Sequence, residues 1–210
     1  MSDLRNNLIT AAQAMQPAGL NRGGTSGNLS VRHGNGFYIT PSGVPYTALT
    51  ANDIPRVTLD GASEGMRKPS SEWRFHRDLY ANRSEVGAVL HAHSPFATSL
   101  ACLRREIPAF HYMIARFGGD NIRCADYAIF GSQALSTASV AAMQGRKACL
   151  LANHGMLIAA RDLNEALALA VEFEELCEHY WRACQLGNPV LLSAAEMAEV
   201  IEKFKTYGQA

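Results

Sequence analysis

Three histidines are placed where they could grip one metal ion. His91 and His93 lie two residues apart at the end of Gly87–His93, a run whose Val, Ala and Leu content predicts a buried strand. Side chains at i and i+2 of a strand point to the same face, so the two imidazoles share a side. His154 comes at the end of a second apolar run, in Ala152-Asn153-His154-Gly155. If the two strands lie close in the sheet, three imidazoles converge. Three protein ligands and one open position describe a catalytic zinc site rather than a structural one. A His-x-His pair alone could equally be two surface histidines. The third histidine, directly before a glycine at another strand end, tips the balance toward metal.

Glu72 is the candidate base. It stands in Pro69-Ser70-Ser71-Glu72, which has the chemistry of a helix start: serine for the cap, an acid in the first turn. An acid there also gains about 0.3–1 kcal/mol from the helix dipole without doing any chemistry. Three segments could hold a phosphate. Gly23-Gly24-Thr25-Ser26-Gly27-Asn28 offers backbone N–H groups and an amide, Thr40-Pro41-Ser42-Gly43 a second turn, and Ser70 and Ser71 hydroxyls beside a helix N-terminus. The glycine loop precedes a strand and lacks Rossmann or Walker spacing.

The elements that must position these groups can be read in outline. Leu4 to Met15 has helical spacing and is stopped by Pro17 and Gly19. Short strands are expected around Leu29–Arg32 and Phe37–Thr40, joined by a Gly34-Asn35-Gly36 hairpin, with a further strand over Ile54–Leu59. Helices are expected from Ser70 to about Ala81, after Ser94-Pro95, from Ser132 toward Met143, over Leu163–Leu186 and over about Ala194–Phe204. Strands over Lys147–Ala152 and Met156–Ala159 flank Gly155. In the long helix, Leu169, Phe173, Leu176, Tyr180 and Cys184 form one stripe. Helices and strands alternate, which predicts an α/β domain with helices packed on a central sheet, and the early hairpin argues against an all-parallel one.

The chain has 210 residues, of which 48% are hydrophobic, enough for one domain with a sizeable core. Nineteen basic and nineteen acidic residues cancel, giving no electrostatic reason to expect nucleic acid or an anionic membrane as partner. Any anion must be held by a local site. No basic segment leads into an apolar run at the N-terminus, and no stretch approaches the ~18 apolar residues of a membrane span. The five cysteines are odd in number, form no C-x-x-C pair and mostly read as core residues, so a reduced, cytoplasmic location is expected.

Asn28-Leu29-Ser30-Val31-Arg32, Ile39-Thr40-Pro41-Ser42-Gly43, Pro69-Ser70-Ser71-Glu72-Trp73-Arg74-Phe75-His76, His91-Ala92-His93 and Asn153-His154-Gly155 together resemble the class II aldolase/adducin family, over nearly the whole chain. The resemblance implies a single domain over 1–210, a three-layer αβα fold with a mostly antiparallel central sheet, and a homotetramer with sites between subunits. It implies His91, His93 and His154 as ligands of one zinc ion per subunit and Glu72 as the acid/base beside it. It matches Asn28, Ser42, Gly43, Ser70 and Ser71 to phosphate-binding positions, Tyr112 to a proton donor reaching a neighbour's site, and Phe130 and Tyr207 to the aldehyde end. The implied reaction cleaves a sugar phosphate, a ketose 1-phosphate such as L-fuculose 1-phosphate, into dihydroxyacetone phosphate and a small aldehyde such as lactaldehyde. A 5-deoxypentulose or 5-methylthioribulose 1-phosphate is the alternative substrate. A pentulose-5-phosphate 4-epimerase is a rival within the family, but that group carries Asp at the position of Glu72. A non-catalytic adducin-like module would lack the intact histidine set. Arg116-Phe117 and the short ending Tyr207-Gly208-Gln209-Ala210 depart from the pattern near the expected aldehyde pocket.

Overall fold

Alternation along the central strands decides which helices lie on which face. In β5 (Ala88–Ala92), Ala88, Leu90 and Ala92 enter one apolar cluster and Val89 the other. In β8 (Gly155–Ala160), Met156 and Ile158 part from Leu157 and Ala159 in the same way. Both strands are buried throughout, which is why they read as continuous apolar runs instead of alternating polar and apolar residues. The structure, a computed structural model, describes residues 4–21 and 25–206. Gly23, Gly24 and Tyr207 lie outside the described residues.

Helices α1 (Leu4–Ala14), α3 (Pro95–Ala101), α5 (Leu163–Leu186) and α6 (Ala194–Lys205) pack on one face of the sheet. Helices α2 (Trp73–Asn82) and α4 (Gln133–Ala142) cover the other. The result is the expected three-layer αβα arrangement. The remaining strands are β1 (Asn28–His33), β2 (Gly36–Ile39), β3 (Arg56–Thr58), β4 (Ser63–Glu64), β6 (Cys124–Ala125) and β7 (Ala148–Leu151). The eight run in the order β4-β3-β2-β1-β5-β8-β7-β6, antiparallel except for the β6–β7 pair. No helix among the described residues is long and apolar enough to cross a membrane.

The β1–α2 contact matters most for the site. Asn28 Nδ2 donates to Glu72 Oε2 at 2.9 Å, Ser30 Oγ lies 2.7 Å from His76 Nδ1, and an Arg32 guanidinium N–H reaches the Tyr80 carbonyl at 2.9 Å. Alternate residues of the strand thus meet every fourth residue along the helix. The match follows from geometry: two strand residues advance about 6.6 Å and four helical residues about 6 Å. Arg32 also bonds the Arg83 and Val86 carbonyls, taking up acceptors at and beyond the helix C-terminus.

Three expectations change. Glu72 is not in the first turn of α2; it is the residue before it, with φ −97° and ψ 13°, and makes no side-chain cap. Ser70 Oγ instead accepts from the Glu72 N–H at 3.3 Å, so the serine shapes the approach to the helix. In α5 the buried stripe ends at Cys177; Tyr180 is half-buried and Cys184 exposed. Only Cys149 and Cys177 of the five cysteines are buried.

Candidate metal and active site

His91 sits inside β5 and His93 one residue beyond its end, both on the face that carries α2. His154 closes the turn from β7 to β8, its N–H donating to the Leu151 carbonyl at 3.0 Å. The turn needs a left-handed residue at Asn153 (φ 52°), a conformation asparagine tolerates. Gly155 follows because nothing larger fits: a Cβ there would lie 2.4 Å from the Ala92 carbonyl oxygen and 3.1 Å from the His93 ring. β5 and β8 are neighbours, with His91 opposite Leu157. The three rings therefore meet, with centroids 4.7 to 4.9 Å apart and one ligand atom from each within 4.8 Å of the others.

Glu72 completes the cluster from the α2 side. Its Oε2 lies 3.3 Å from His91 Nε2 and its Oε1 3.3 Å from His154 Nε2. These contacts are not ion pairs, because the rings are neutral. Burial pulls the pKa of His91 down to about 3 and that of His154 to about 4, each helped by a neighbouring imidazole, and burial lowers His93 as well. His91 Nδ1 faces the Met156 carbonyl at 2.8 Å and so carries the hydrogen, leaving Nε2 bare. That bare nitrogen looks toward His93 Nε2 at 2.9 Å and toward the carboxylate. Glu72 Oε1 is buried and has no hydrogen-bond partner. Lone pairs converge there with too few hydrogens between them, which is what a site built for a cation looks like. Three neutral imidazoles, one of them oriented by a backbone carbonyl, suit a first-row divalent metal such as zinc.

The cluster opens onto a cavity of about 410 Å³. Asn28, Ser42, Gly43, Ser70, Ser71, Glu72, His93, His154 and Phe130 all line it, so most of the sequence-derived site residues come together. Two turns form its polar wall. The Ser71 N–H donates to Ser42 Oγ at 3.0 Å and the Ser70 N–H to the Thr40 carbonyl at 3.1 Å. No lysine or arginine lines the cavity among the described residues, so an anion would rest on hydroxyl and N–H dipoles. The opposite wall is a loop, Tyr127 to Phe130, tied to α2 by a 2.7 Å bond from Arg74 to the Gly131 carbonyl. Tyr127 and Ile129 were not singled out in the sequence, where they belong to no recognisable pattern.

Tyr112 is not brought to this cavity within the chain. It begins a 3₁₀ segment (Tyr112–Phe117), is half exposed, and stacks on Phe204 of α6. Phe117 is fully buried and Arg116 pairs with Glu172, so neither of these two residues lines the cavity in its own chain, and the ending from Tyr207 lies outside the described residues.

Residues 6–181 match the family model described as the class II aldolase and adducin N-terminal domain. The chain belongs to the class II aldolase family. Over 205 residues it is 57% identical to a 5-methylthioribulose-1-phosphate/5-deoxyribulose-1-phosphate aldolase of Rhodospirillum rubrum, covering 98% of this chain and 92% of that one. It is 45% identical to the L-fuculose phosphate aldolase of Escherichia coli K12, covering 98% and 95%. A solved L-fuculose 1-phosphate aldolase superposes with a TM-score of 0.93 at 41% identity, over 98% of this chain and 97% of its own. Class II aldolases depend on a metal, and in this aldolase the His91, His93 and His154 cluster is a group able to bind one.

Proposed function

We propose that this aldolase cleaves a ketose 1-phosphate with an apolar far end, releasing dihydroxyacetone phosphate and a small aldehyde. The observation that carries this is one cavity with a hydroxyl and N–H cradle on one side, aromatic and aliphatic side chains on the other, and Glu72 with the imidazoles between. The 57% identity to a 5-methylthioribulose-1-phosphate/5-deoxyribulose-1-phosphate aldolase, against 45% to an L-fuculose phosphate aldolase, supports trying 5-deoxyribulose and 5-methylthioribulose 1-phosphates first, although the sequence was read with L-fuculose 1-phosphate first. All three leave an aldehyde with an apolar end, which suits the wall formed by Ile129 and Phe130.

In this reading His91, His93 and His154 hold one zinc ion per subunit. When bound, such an ion polarises the substrate carbonyl and takes up the negative charge that carbon–carbon cleavage leaves behind. Ser42, Gly43, Ser70, Ser71 and the remaining amide N–H of Asn28 bind the phosphate. Glu72 Oε1, the unpartnered oxygen, delivers a proton to the carbon that was cleaved, and receives one there in the condensation direction. Tyr112 takes the proton from the substrate hydroxyl that becomes the aldehyde. Its absence from the cavity lining of its own chain supports a neighbour supplying it, within the homotetramer that the family resemblance implies. Phe130, with Tyr207 beyond the described residues, contacts the aldehyde end, and residues 1–210 act as a single domain.

The test is release of dihydroxyacetone phosphate, followed by its reduction in a coupled assay, from each of the three ketose 1-phosphates. Release from none of them removes the proposal, and a clear preference for L-fuculose 1-phosphate restores the order expected from sequence.

A further inference from the structure

Behind Glu72 and Asn28 lie three buried polar residues, Ser30, His76 and Tyr80, that the proposed chemistry does not use. Tyr80 Oη and Ser30 Oγ are 2.8 Å apart, and Ser30 Oγ and His76 Nδ1 2.7 Å. His76 Nε2 and Asn28 Oδ1 are 2.5 Å apart, and Asn28 Nδ2 reaches Glu72 Oε2 at 2.9 Å. All five residues are buried, His76 and Ser30 completely. His76 does not line the cavity, so no substrate atom meets it.

The carboxylate end fixes the hydrogen direction of the whole line. The proton that Glu72 moves is on Oε1, so Oε2 carries none and only accepts, and the Asn28 atom facing it must be Nδ2. Asn28 Oδ1 must then accept, which puts the His76 hydrogen on Nε2. Nδ1 is left bare and accepts from the Ser30 hydroxyl, and Ser30 Oγ accepts from Tyr80. Every bond points toward Glu72. Burial, with the neighbouring His91, keeps the His76 ring neutral, its pKa well below the ordinary value. A protonated ring would donate at both nitrogens and turn the Ser30 link around.

We infer that His76 is a positioning residue: its Nε2–H locks the Asn28 amide so that Nδ2 holds Glu72 Oε2 and leaves Oε1 free toward the cavity. Without that N–H, nothing prevents the amide from rotating to set Oδ1 against the carboxylate. Acceptor would then face acceptor, and Glu72 would be pushed from its place. The inference rests on the proposed role of Glu72. The competing view is that His76 only fills space, since it stacks on Phe75 with centroids 4.8 Å apart.

Two substitutions separate these views. A glutamine places its terminal nitrogen where Nε2 was and can still donate to Asn28. An asparagine reaches only as far as Nδ1 and cannot. At matched metal content, His76→Gln should turn over within about tenfold of the parent, whereas His76→Asn should lose about a hundredfold or more, the scale of a misplaced acid/base. Equal losses in both, or no loss in His76→Asn, overturn the inference. Nitrogen-15 NMR of the histidine-labelled parent protein gives a readout that needs no variant to fold: His76 must be the neutral Nε2–H form, and an Nδ1–H form overturns the inference. Glu72→Gln is run in parallel. Normal turnover there removes the premise, whereas an inactive Glu72→Gln alongside equal His76 losses leaves Glu72 in its role and overturns the inference alone.

Discussion

Gly155→Ala should strip the site of metal while changing no ligand. The new Cβ would stand 2.4 Å from the Ala92 carbonyl oxygen, against about 3.3 Å for an ordinary close carbon–oxygen contact, so about 0.9 Å must be found. Neither side can yield by rotating a side chain, because the Cβ is fixed rigidly to its Cα and the oxygen belongs to the backbone. Ala92 is paired with Met156 in the sheet, and Gly155 with Leu151. The opening therefore falls between the end of β5, which carries His91 and His93, and the turn that carries His154. Metal ligands must be held to within about 0.2 Å, so a displacement several times larger should abolish tight binding. Overpacking of this kind costs about 1–3 kcal/mol of stability. The assay is metal content after dialysis, by mass spectrometry, with the denaturant midpoint of the metal-free protein. Gly145→Ala is the control: it has positive φ but open space around it, so it should lose some stability and keep its metal. A Gly155→Ala protein with the parent's midpoint and one tightly held ion per chain would refute the reasoning.

Three further outcomes are expected. Glu72→Gln should keep fold and metal but lose about 10²–10⁴ in turnover, the range of general acid/base catalysis, measured at matched metal content. Glu72→Gln and Tyr112→Phe proteins, each inactive alone, should regain part of the activity when subunits are exchanged, since some sites then pair an intact Glu72 with an intact Tyr112; no recovery after proven exchange would place the site within one chain. The metal-free protein should lose stability as pH falls below 6.5. His91 and His154 stay neutral in the fold down to about 3 and 4, while the unfolded chain takes up protons from 6.5 downward, so acid favours unfolding across that window. Above about pH 5.5 paired carboxylates such as Glu165 stay almost fully ionised in both states, so denaturant midpoints between there and pH 6.5 report mainly the histidines, and His154→Ala should flatten the slope.

What was legible in the sequence was set by short-range pattern. His91-x-His93 follows from strand parity, His154 from its place before Gly155, and α5 from the helical spacing of Leu169, Phe173 and Leu176. The two-residue strands β4 and β6 were missed because they have no pattern of their own and form only against neighbours. Glu72 was placed inside the first turn of α2 because Ser70 and Ser71 look like a cap, whereas their hydrogen bonds hold the 40–43 and 69–72 turns together. His76 could be noticed as one turn beyond Glu72, but its partners Asn28 and Ser30 are distant in sequence and visible only when β1 lies along α2. Tyr180 and Cys184 keep helical spacing beyond the point where α5 runs out of core to cover.

The placing of the three histidines on β5 and the β7–β8 turn also governs when the protein can hold a metal. The β7–β8 hairpin is local, but the β5–β8 pairing joins segments with α3, β6 and α4 between them. A nascent chain that has made His91 and His93 has no third ligand, and a fragment ending before β8 has no neighbour to hold β5 against His154. With His91, His93 and His154 as the proposed ligands, an ion would be taken up by the assembled sheet. By mass action it would stabilise the native state as a whole, by about 2.7 kcal/mol at a free concentration one hundred times its dissociation constant. Starving a cell of the metal would then cost it intact protein as well as activity, because the unloaded fold stands closer to its unfolding threshold.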